Sequence, residues 1–211
     1  MATETSQTLD RGLRVLMVLA ATPAGLTVTE LAAAVQVNRT VVYRLISTLE
    51  QHALVRRDRQ GKLHVGLGVL QLSAAVQPVL REVAAPVLRV LAEKVGCTAH
   101  LTVSDGEEAL ALSVIEPSWT DFHVSYRVGA RHPLDRGAAG RAILAGRESG
   151  GPAYVATTGE LQPGARGIAA SVLGVDGLEA SVGIVTLDDI DVDRLGPQVV
   201  AAAHELASLL R

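Results

Sequence analysis

Apolar residues in the first third of the chain recur at helical spacing in three short segments. The first runs from about Leu9 to Ala20 and is amphipathic. The second begins at Thr27, which with Glu30 has the spacing of a capping box, in which each side chain binds the other residue's backbone N–H. The third begins at Asn38, a favourable N-cap residue. The pattern therefore predicts three short helices with a tight turn before the third.

Polar residues on the third predicted helix are of the types that contact DNA. Arginine binds guanine edges or phosphates, and threonine and tyrosine hydroxyls bind phosphates. Two short apolar segments around the basic loop 58–62 follow and predict a β-hairpin. Helices and hairpin in this order predict a winged helix-turn-helix, which inserts one helix into a major groove. The candidate DNA-binding residues are Thr27, Asn38, Arg39, Thr40, Tyr43, Arg44, Arg57, Arg59 and Lys62.

The charge distribution separates this segment from the rest of the chain. Residues 1–75 carry eight Lys or Arg and five Asp or Glu, whereas residues 76–211 carry eleven and seventeen. A basic module on an acidic body favours a DNA-binding regulator over a general nucleic-acid coat. The alternative is that the arginine-rich helix face is simply solvated, and the order of the motifs weighs against it.

The remainder of the chain changes from helical to strand periodicity. A helical linker is predicted over Val69–Gln77, and Pro78 is expected to break it before a long amphipathic helix over Val79–Val95. Strands in one sheet with helices on a face then predict an α+β sensor domain. The predicted strands are Thr98–Val103, Ala109–Ile115, Phe122–Val128, Gly167–Val172 and Ala180–Leu187, and the predicted helices are Ala138–Ala145 and Leu195–Leu210.

The domain organisation predicted for the 211 residues has four parts. Residues 1–8 form a flexible N-terminus, 9–68 the winged helix-turn-helix, 69–77 the linker helix and 78–211 the sensor and oligomerisation domain. One cysteine excludes a disulfide within the chain, and no signal peptide or membrane-length apolar run is present. We therefore expect a cytoplasmic protein without membrane partners.

Catalytic and metal-binding patterns are not found in the sequence. The six histidines do not show zinc-ligand spacing, and the acidic run 188–193 lacks the glycine and the terminal glutamate of a calcium loop. Cys97 has no obvious base beside it, and no nucleophile-elbow or phosphate-binding glycine motif occurs. We expect no enzyme activity, no metal and no cofactor.

Several motifs resemble one known family in both sequence and order. Residues 26–58, LTVTELAAAVQVNRTVVYRLISTLEQHALVRRD, are similar to the winged-helix pattern of the IclR (isocitrate-lyase-regulator) transcriptional regulators. Residues 62–68 (KLHVGLG) resemble the exit from the wing in that family. The segments 128–134 (VGARHPL), 138–145 (AAGRAILA) and 167–172 (GIAASV) resemble motifs of the family's effector domain. The resemblance covers nearly the whole chain.

This resemblance implies a GAF-like effector domain whose pocket floor is the loop 135–140. Backbone N–H groups at a helix start, surrounded by small residues, can bind a carboxylate, although such a turn can also be a plain tight cap. The bridge 146–152 is shorter than the helical segment usual in the family, and several pocket positions differ. Trp119 and Tyr126 are further candidates for the pocket wall. The candidate effector-binding residues are Trp119, Tyr126, Gly137, Ala138, Thr157, Ser171, Gly183 and Val185.

The function expected from these features is a sequence-specific DNA-binding transcriptional regulator controlled by a small organic or aromatic acid, in the form of a carboxylate. Its expected partner is a pseudo-palindromic operator in double-stranded DNA, bound by a homodimer or tetramer. The main alternative is a ligand-independent or partner-controlled DNA-binding regulator whose trimmed sensor domain only dimerises. An enzyme on a GAF-like fold is a distant third.

Overall fold

The computed structural model describes residues 5–75, 77–119 and 126–211. The chain divides into two compact units, Met1–Gln77 and Pro78–Arg211. Each unit is described by itself below.

The described part of the first unit contains four helices and one hairpin. Its elements are α1 (Gln7–Ala20), α2 (Val28–Val35), α3 (Arg39–Gln51), β1 (Val55–Arg57), β2 (Leu63–Val65) and α4 (Gly68–Ala74). The strands β1 and β2 pair antiparallel. Val15, Leu31, Ile46 and Leu63 are fully buried in a small core between α1, α2, α3 and the hairpin. Gln36 ends α2 in the left-handed conformation and so turns the chain into α3.

The second unit is an antiparallel sheet with helices on both faces. Its described elements are α5 (Pro78–Val95), β3 (Thr98–Asp105), β4 (Glu108–Ile115), β5 (Arg131–Pro133), α6 (Gly137–Gly146), β6 (Val155–Thr158), β7 (Arg166–Val172), β8 (Ala180–Thr186) and α7 (Val192–Leu210). The strand order in the sheet is β5-β4-β3-β8-β7-β6. Helices α5 and α7 pack on one face, and α6 packs on the other.

The predicted fold class, an α+β protein with a winged helix-turn-helix and a GAF-like sheet with flanking helices, is confirmed. One strand prediction is wrong in its described part. Residues 126–128 of the predicted strand Phe122–Val128 form a coil and the start of a turn, and 122–125 lie outside the described residues. Pro78 does not break a helix but begins α5, because the first helical turn needs no N–H from that residue.

Two short strands were missed by the sequence prediction. Strand β5 has only three residues and ends in a proline, while β6 has four. Both lie at the edges of the sheet, where short strands with a proline are tolerated because one side makes no ladder hydrogen bonds. Their lengths are too short for two-residue alternation to identify them.

Candidate DNA-binding helix and effector cavity

Helix α3 presents a polar face to solvent. Val42, Leu45 and Ile46 are buried against the rest of the first unit, and this burial fixes the rotation of the helix. Four predicted DNA-binding residues are exposed as a result. They are Arg39, Thr40, Tyr43 and Arg44. The Arg39 guanidinium donates a hydrogen bond to the Thr29 hydroxyl, which holds it against α2.

Two other predicted DNA-binding residues use their side chains to cap helices. The Thr27 hydroxyl accepts a hydrogen bond from the Glu30 N–H at 3.3 Å, and the Glu30 carboxylate accepts one from the Thr27 N–H at 2.8 Å. The Asn38 side-chain oxygen accepts from the Thr40 N–H at 2.9 Å. These hydrogen bonds cap α2 and α3, so the two side chains stabilise the helix-turn-helix.

The wing is organised around Asp58. Its carboxylate accepts hydrogen bonds from the backbone N–H groups of Gln60 and Lys62 at 2.8 and 2.9 Å, and it lies 3.0 Å from His64 Nε2. The hydrogen bond with His64 is the main cause that lowers the pKa of Asp58. The loop leaves the side chain of Arg59 exposed, with Lys62 half-buried beside it.

Arg57 differs from the other predicted wing residues. Its Nε lies 2.9 Å from the Glu50 carboxylate at the end of α3. This ion pair joins the wing to α3 and offsets the charge of Arg57, a predicted phosphate ligand. Exposed ion pairs of this kind are weak, so the contact can exchange for a phosphate.

A cavity of about 80 Å³ lies on the sheet face that carries α6. The N-terminus of α6, the loop after β6 and the sheet enclose it. Five of the predicted effector-binding residues line it, namely Tyr126, Gly137, Ala138, Thr157 and Val185. Lining residues that the sequence prediction missed are His100, His132, Ala139, Glu160, Leu161, Gln162, Ala165, Arg166, Gly167 and Ile184.

A carboxylate of the chain itself occupies the predicted anion position. The Gly137 N–H donates to Glu160 Oε2 at 2.8 Å, and Arg141 Nη1 lies 3.3 Å from Glu160 Oε1. The Arg136 guanidinium donates to the backbone oxygen of Glu160. Gly137 has a φ of +74°, and a Cβ there would lie 2.6 Å from Leu161 Cδ1. Glycine thus allows the segment with Glu160 and Leu161 to cover the helix start.

The polar side chains of His100 and Tyr126 also line the cavity. His100 is buried, and its Nδ1 lies 3.1 Å from the Thr102 hydroxyl. Burial, and secondarily the charge interaction with His132, lower the pKa of His100 to about 3, so the ring is neutral at physiological pH. The Tyr126 ring meets the edge of the His100 ring at a centroid distance of 5.0 Å.

Three predicted effector-binding residues do not line this cavity. The Ser171 hydroxyl donates to the Ala142 carbonyl at 2.6 Å and so anchors α6 on the sheet. Trp119 Nε1 donates to the Glu93 carbonyl at 3.1 Å, and its ring lies over Gly96. Gly183 faces His100, since a Cβ on Gly183 would lie 2.5 Å from His100 Cε1. These placements correct the expected pocket membership.

The absence of a side chain at Gly183 is therefore linked to the position of the His100 ring. The two residues are partners across β3 and β8, and the imidazole fills the space that a side chain at 183 would take. The sequence resemblance alone could not show this compensation, because the two residues are 83 positions apart along the chain.

The two units define the class of protein: a winged helix-turn-helix domain attached to an α+β domain that contains a small cavity. Two family models match the chain. The IclR helix-turn-helix domain matches residues 8–59, and the domain described as bacterial transcriptional regulator IclR C-terminal matches residues 73–151. The chain belongs to the IclR family of bacterial transcriptional regulators, as its motifs indicated.

A curated relative and two solved structures support this assignment. The HTH-type transcriptional regulator KipR of Bacillus subtilis is 34% identical over 121 residues, which are 56% of this chain and 48% of KipR. An IclR regulator from Alicyclobacillus acidocaldarius superposes with a TM-score of 0.78 at 21% identity, covering 99% of this chain and 100% of that one. An IclR homologue from Microbacterium hydrocarbonoxydans, complexed with 4-hydroxybenzoate, gives 0.81 at 19% identity, covering 97% and 99%.

The structural matches show the fold of the chain. The chain spans about half the length of the curated relatives that it matches. Helices in the described ranges are not long and apolar enough to cross a membrane. Groups of three or more His, Cys, Asp or Glu side chains that could hold a metal ion are not found in the described part of the chain.

Proposed function

We propose that this chain is a sequence-specific DNA-binding transcriptional regulator that acts in the cytoplasm. The observation that carries the proposal is the exposed face of α3 in a domain that matches the IclR helix-turn-helix. On this proposal α3 enters the major groove, with Arg44 and Arg39 at base edges or phosphates. Arg59 and Lys62 in the wing contact phosphates and so contribute affinity without reading sequence.

The test compares arginine removal on α3 with arginine removal elsewhere. An operator is first defined by footprinting on the promoter of the chain's own gene. We expect Arg44→Ala to weaken binding to this operator by about 1–3 kcal/mol if the contact is bidentate, while Arg59→Ala weakens all DNA alike and reduces the salt dependence. Arg89→Ala, an exposed arginine of α5, is the matched charge control. Operator binding unchanged by both Arg44→Ala and Arg39→Ala would show that α3 does not read DNA.

The proposal includes a homodimer, or a tetramer built from dimers, on a pseudo-palindromic operator. Helix α1 supports it, because Leu9, Leu13 and Met17 are spaced four residues apart and are 63%, 48% and 71% exposed. Exposed large apolar residues on one helix stripe are typical of a protein interface. We expect light scattering to show a dimer or larger, and Met17→Glu to favour the monomer and half-site binding. A wild-type monomer both free and on DNA contradicts this part.

The proposed effector is a small organic acid in the cavity at the start of α6. The 4-hydroxybenzoate complex of the Microbacterium homologue supports a small acid as the ligand class. The first N–H groups of α6 have no carbonyl partner within the helix and attract a carboxylate. The cavity of about 80 Å³ is about half the size of one that admits benzene, which favours a short aliphatic acid over an aromatic one.

Glu160 is the obstacle that an acidic effector must displace. Its carboxylate already accepts the Gly137 N–H, and two carboxylates at one helix start repel each other. On this proposal the effector exchanges with Glu160, and the covering segment moves as it does so. Because a ligand acts only through its different affinities for two states, this movement is what the DNA-binding unit would sense.

The effector experiment is calorimetric titration of the full chain with aliphatic and aromatic acids. We expect Glu160→Gln to raise the affinity for a binding acid about tenfold, because the competing charge is lost, and Glu148→Gln to change nothing. Ala138→Leu fills the cavity and should abolish acid binding while operator binding remains. If neither wild type nor Glu160→Gln binds any acid at millimolar concentration, the result favours the second candidate function. That function is a ligand-independent regulator in which Glu160 permanently caps α6.

A further inference from the structure

His132 places a hydrogen-bond acceptor without a partner in the cavity wall. The residue is 7% exposed, and its Nδ1 lies 3.0 Å from the carbonyl oxygen of Pro133. A carbonyl can only accept, so Nδ1 carries a proton, and in the tautomer with a single proton Nε2 is an acceptor. Nε2 is buried and has no hydrogen-bond partner among the described residues. Buried polar atoms without a hydrogen-bond partner are rare in proteins, because burial removes their hydrogen bonds to water.

Tyr126 adds a second buried polar atom at the same cavity. Its hydroxyl is also buried without a hydrogen bond of good geometry to the described residues, although the ring packs on His100. Burial raises the pKa of Tyr126, and the nearby Thr102 hydroxyl lowers it by less. The hydroxyl therefore keeps its proton at neutral pH and can donate.

We propose that the effector carries a hydroxyl group in addition to its acid group, and that His132 and Tyr126 recognise this hydroxyl. The hydroxyl donates to His132 Nε2 and accepts from the Tyr126 hydroxyl. This assignment rests on the proposed effector function, since it takes the α6 start as the acid end of the same cavity.

The hydrogen-bonding atoms of His132 and Tyr126 favour a hydroxyl over other small groups. A second carboxylate has no proton to give Nε2, and the neutral His100 ring provides no counter-charge. A methyl group leaves both buried polar atoms unsatisfied. A hydroxyl donates and accepts at one oxygen and carries no charge.

The experiment measures preference within matched pairs of acids on the full chain. The pairs are glycolate and acetate, 3-hydroxypropionate and propionate, and 4-hydroxybenzoate and benzoate, each titrated by calorimetry. We expect the hydroxylated member of the best-fitting pair to bind at least tenfold more tightly. Since the pairs differ in length, they also locate the hydroxyl relative to the acid end.

Three variants separate recognition by Nε2 from a structural role of the histidine. His132→Asn keeps a side-chain amide near the Nδ1 position but lacks an atom at Nε2, whereas His132→Gln reaches the Nε2 position. We expect His132→Asn to remove the hydroxyl preference and leave the affinity for the plain acid unchanged, and His132→Gln to retain part of the preference. Tyr126→Phe should reduce the preference without removing it. His204→Asn, at an exposed position of α7, is the control.

If both members of every pair bind wild type equally, the hydroxyl assignment is overturned and the proposed effector function still stands. In that case a bound water satisfies Nε2. A His132→Asn variant that weakens both members equally would also overturn it, since that result indicates a structural role. If neither member of any pair binds wild type or Glu160→Gln, the proposed effector function fails and this assignment falls with it.

Discussion

The two faces of the six-stranded sheet are built from different residues. The face toward α5 and α7 carries large aliphatic side chains, among them Leu101, Ile168 and Val182, which are almost completely buried. The face toward α6 carries mainly alanine, glycine and hydroxyl residues on β7 and β8, with histidine and threonine on β3. Alternation along each strand sends neighbours to opposite faces, so a single strand contributes to both.

This difference explains where the cavity lies. Large aliphatic side chains from the sheet and two long helices interlock to the density of a protein interior. Small residues opposite α6 cannot fill the space to its N-terminus, and the hydroxyls of Ser171 and Ser181 instead anchor the helix through the carbonyls of Ala142 and Ala139. One face therefore stabilises the fold, and the other holds a helix over an incompletely filled space.

The largest expected effect comes from truncating the well-packed face. We expect Leu101→Ala to reduce the free energy of unfolding of the second unit by about 2–5 kcal/mol, because it removes a fully buried side chain and leaves a void. Val185→Ala, on the cavity face, should cost about 1 kcal/mol, since Val185 already borders empty space. Urea unfolding followed by the fluorescence of Trp119, the only tryptophan, measures both.

Equal losses for the two variants would contradict the comparison. In that case the α6 face would be as tightly packed as the other, and the cavity would close in solution.

The next effect is a pH dependence that arises on the cavity face alone. The pKa of His100 is about 3 in the folded chain and 6.5 when unfolded, so the unfolded state binds more protons between these values. Stability from the neutral ring is complete above pH 6.5 and is lost as the pH falls toward 3. We expect wild type to lose about 2 kcal/mol more than His100→Gln between pH 7 and pH 5.

Urea unfolding of both proteins at several pH values provides the measurement. The other titratable or charged residues that line the same cavity are His132, Tyr126, Glu160 and Arg166. Because they are present in both proteins, the difference between wild type and His100→Gln reports His100 together with its charge interaction with His132. Parallel pH profiles for the two proteins would show that His100 is solvated and that the cavity is open to water at this residue.

The helix-turn-helix could be predicted closely because its signals are local. Thr27 and Glu30 do form a capping box, and Asn38 does cap α3, as the spacing of these residues predicted. The buried face of α3 also follows directly from the helical recurrence of Val42 and its neighbours. Local hydrogen bonds and the helical period of the apolar residues thus specify the helix-turn-helix unit.

The cavity was only partly predictable because its residues meet through long-range pairing. Glu160 lies 23 residues after Gly137, and no periodicity connects a loop carboxylate to a helix start. His100 and His132 are on strands separated by β4, and β5 was too short to be recognised as a strand. Ser171 had the right residue type but lies near the other end of α6. The residue types in the sequence indicated a pocket, whereas strand register and sheet order determine which residues line it.

The smallest expected effect tests the compensation between Gly183 and His100. A Cβ at residue 183 would lie 2.5 Å from His100 Cε1 and 2.9 Å from the backbone oxygen of Ile168, so Gly183→Ala must displace the imidazole and strain the strand. We expect it to lower the free energy of unfolding by about 1–2 kcal/mol. In a His100→Ala background the same substitution should cost less, because only the Ile168 contact remains, giving a coupling of at least about 0.5 kcal/mol in a double-mutant cycle. Additive losses would show that the two residues do not share the space.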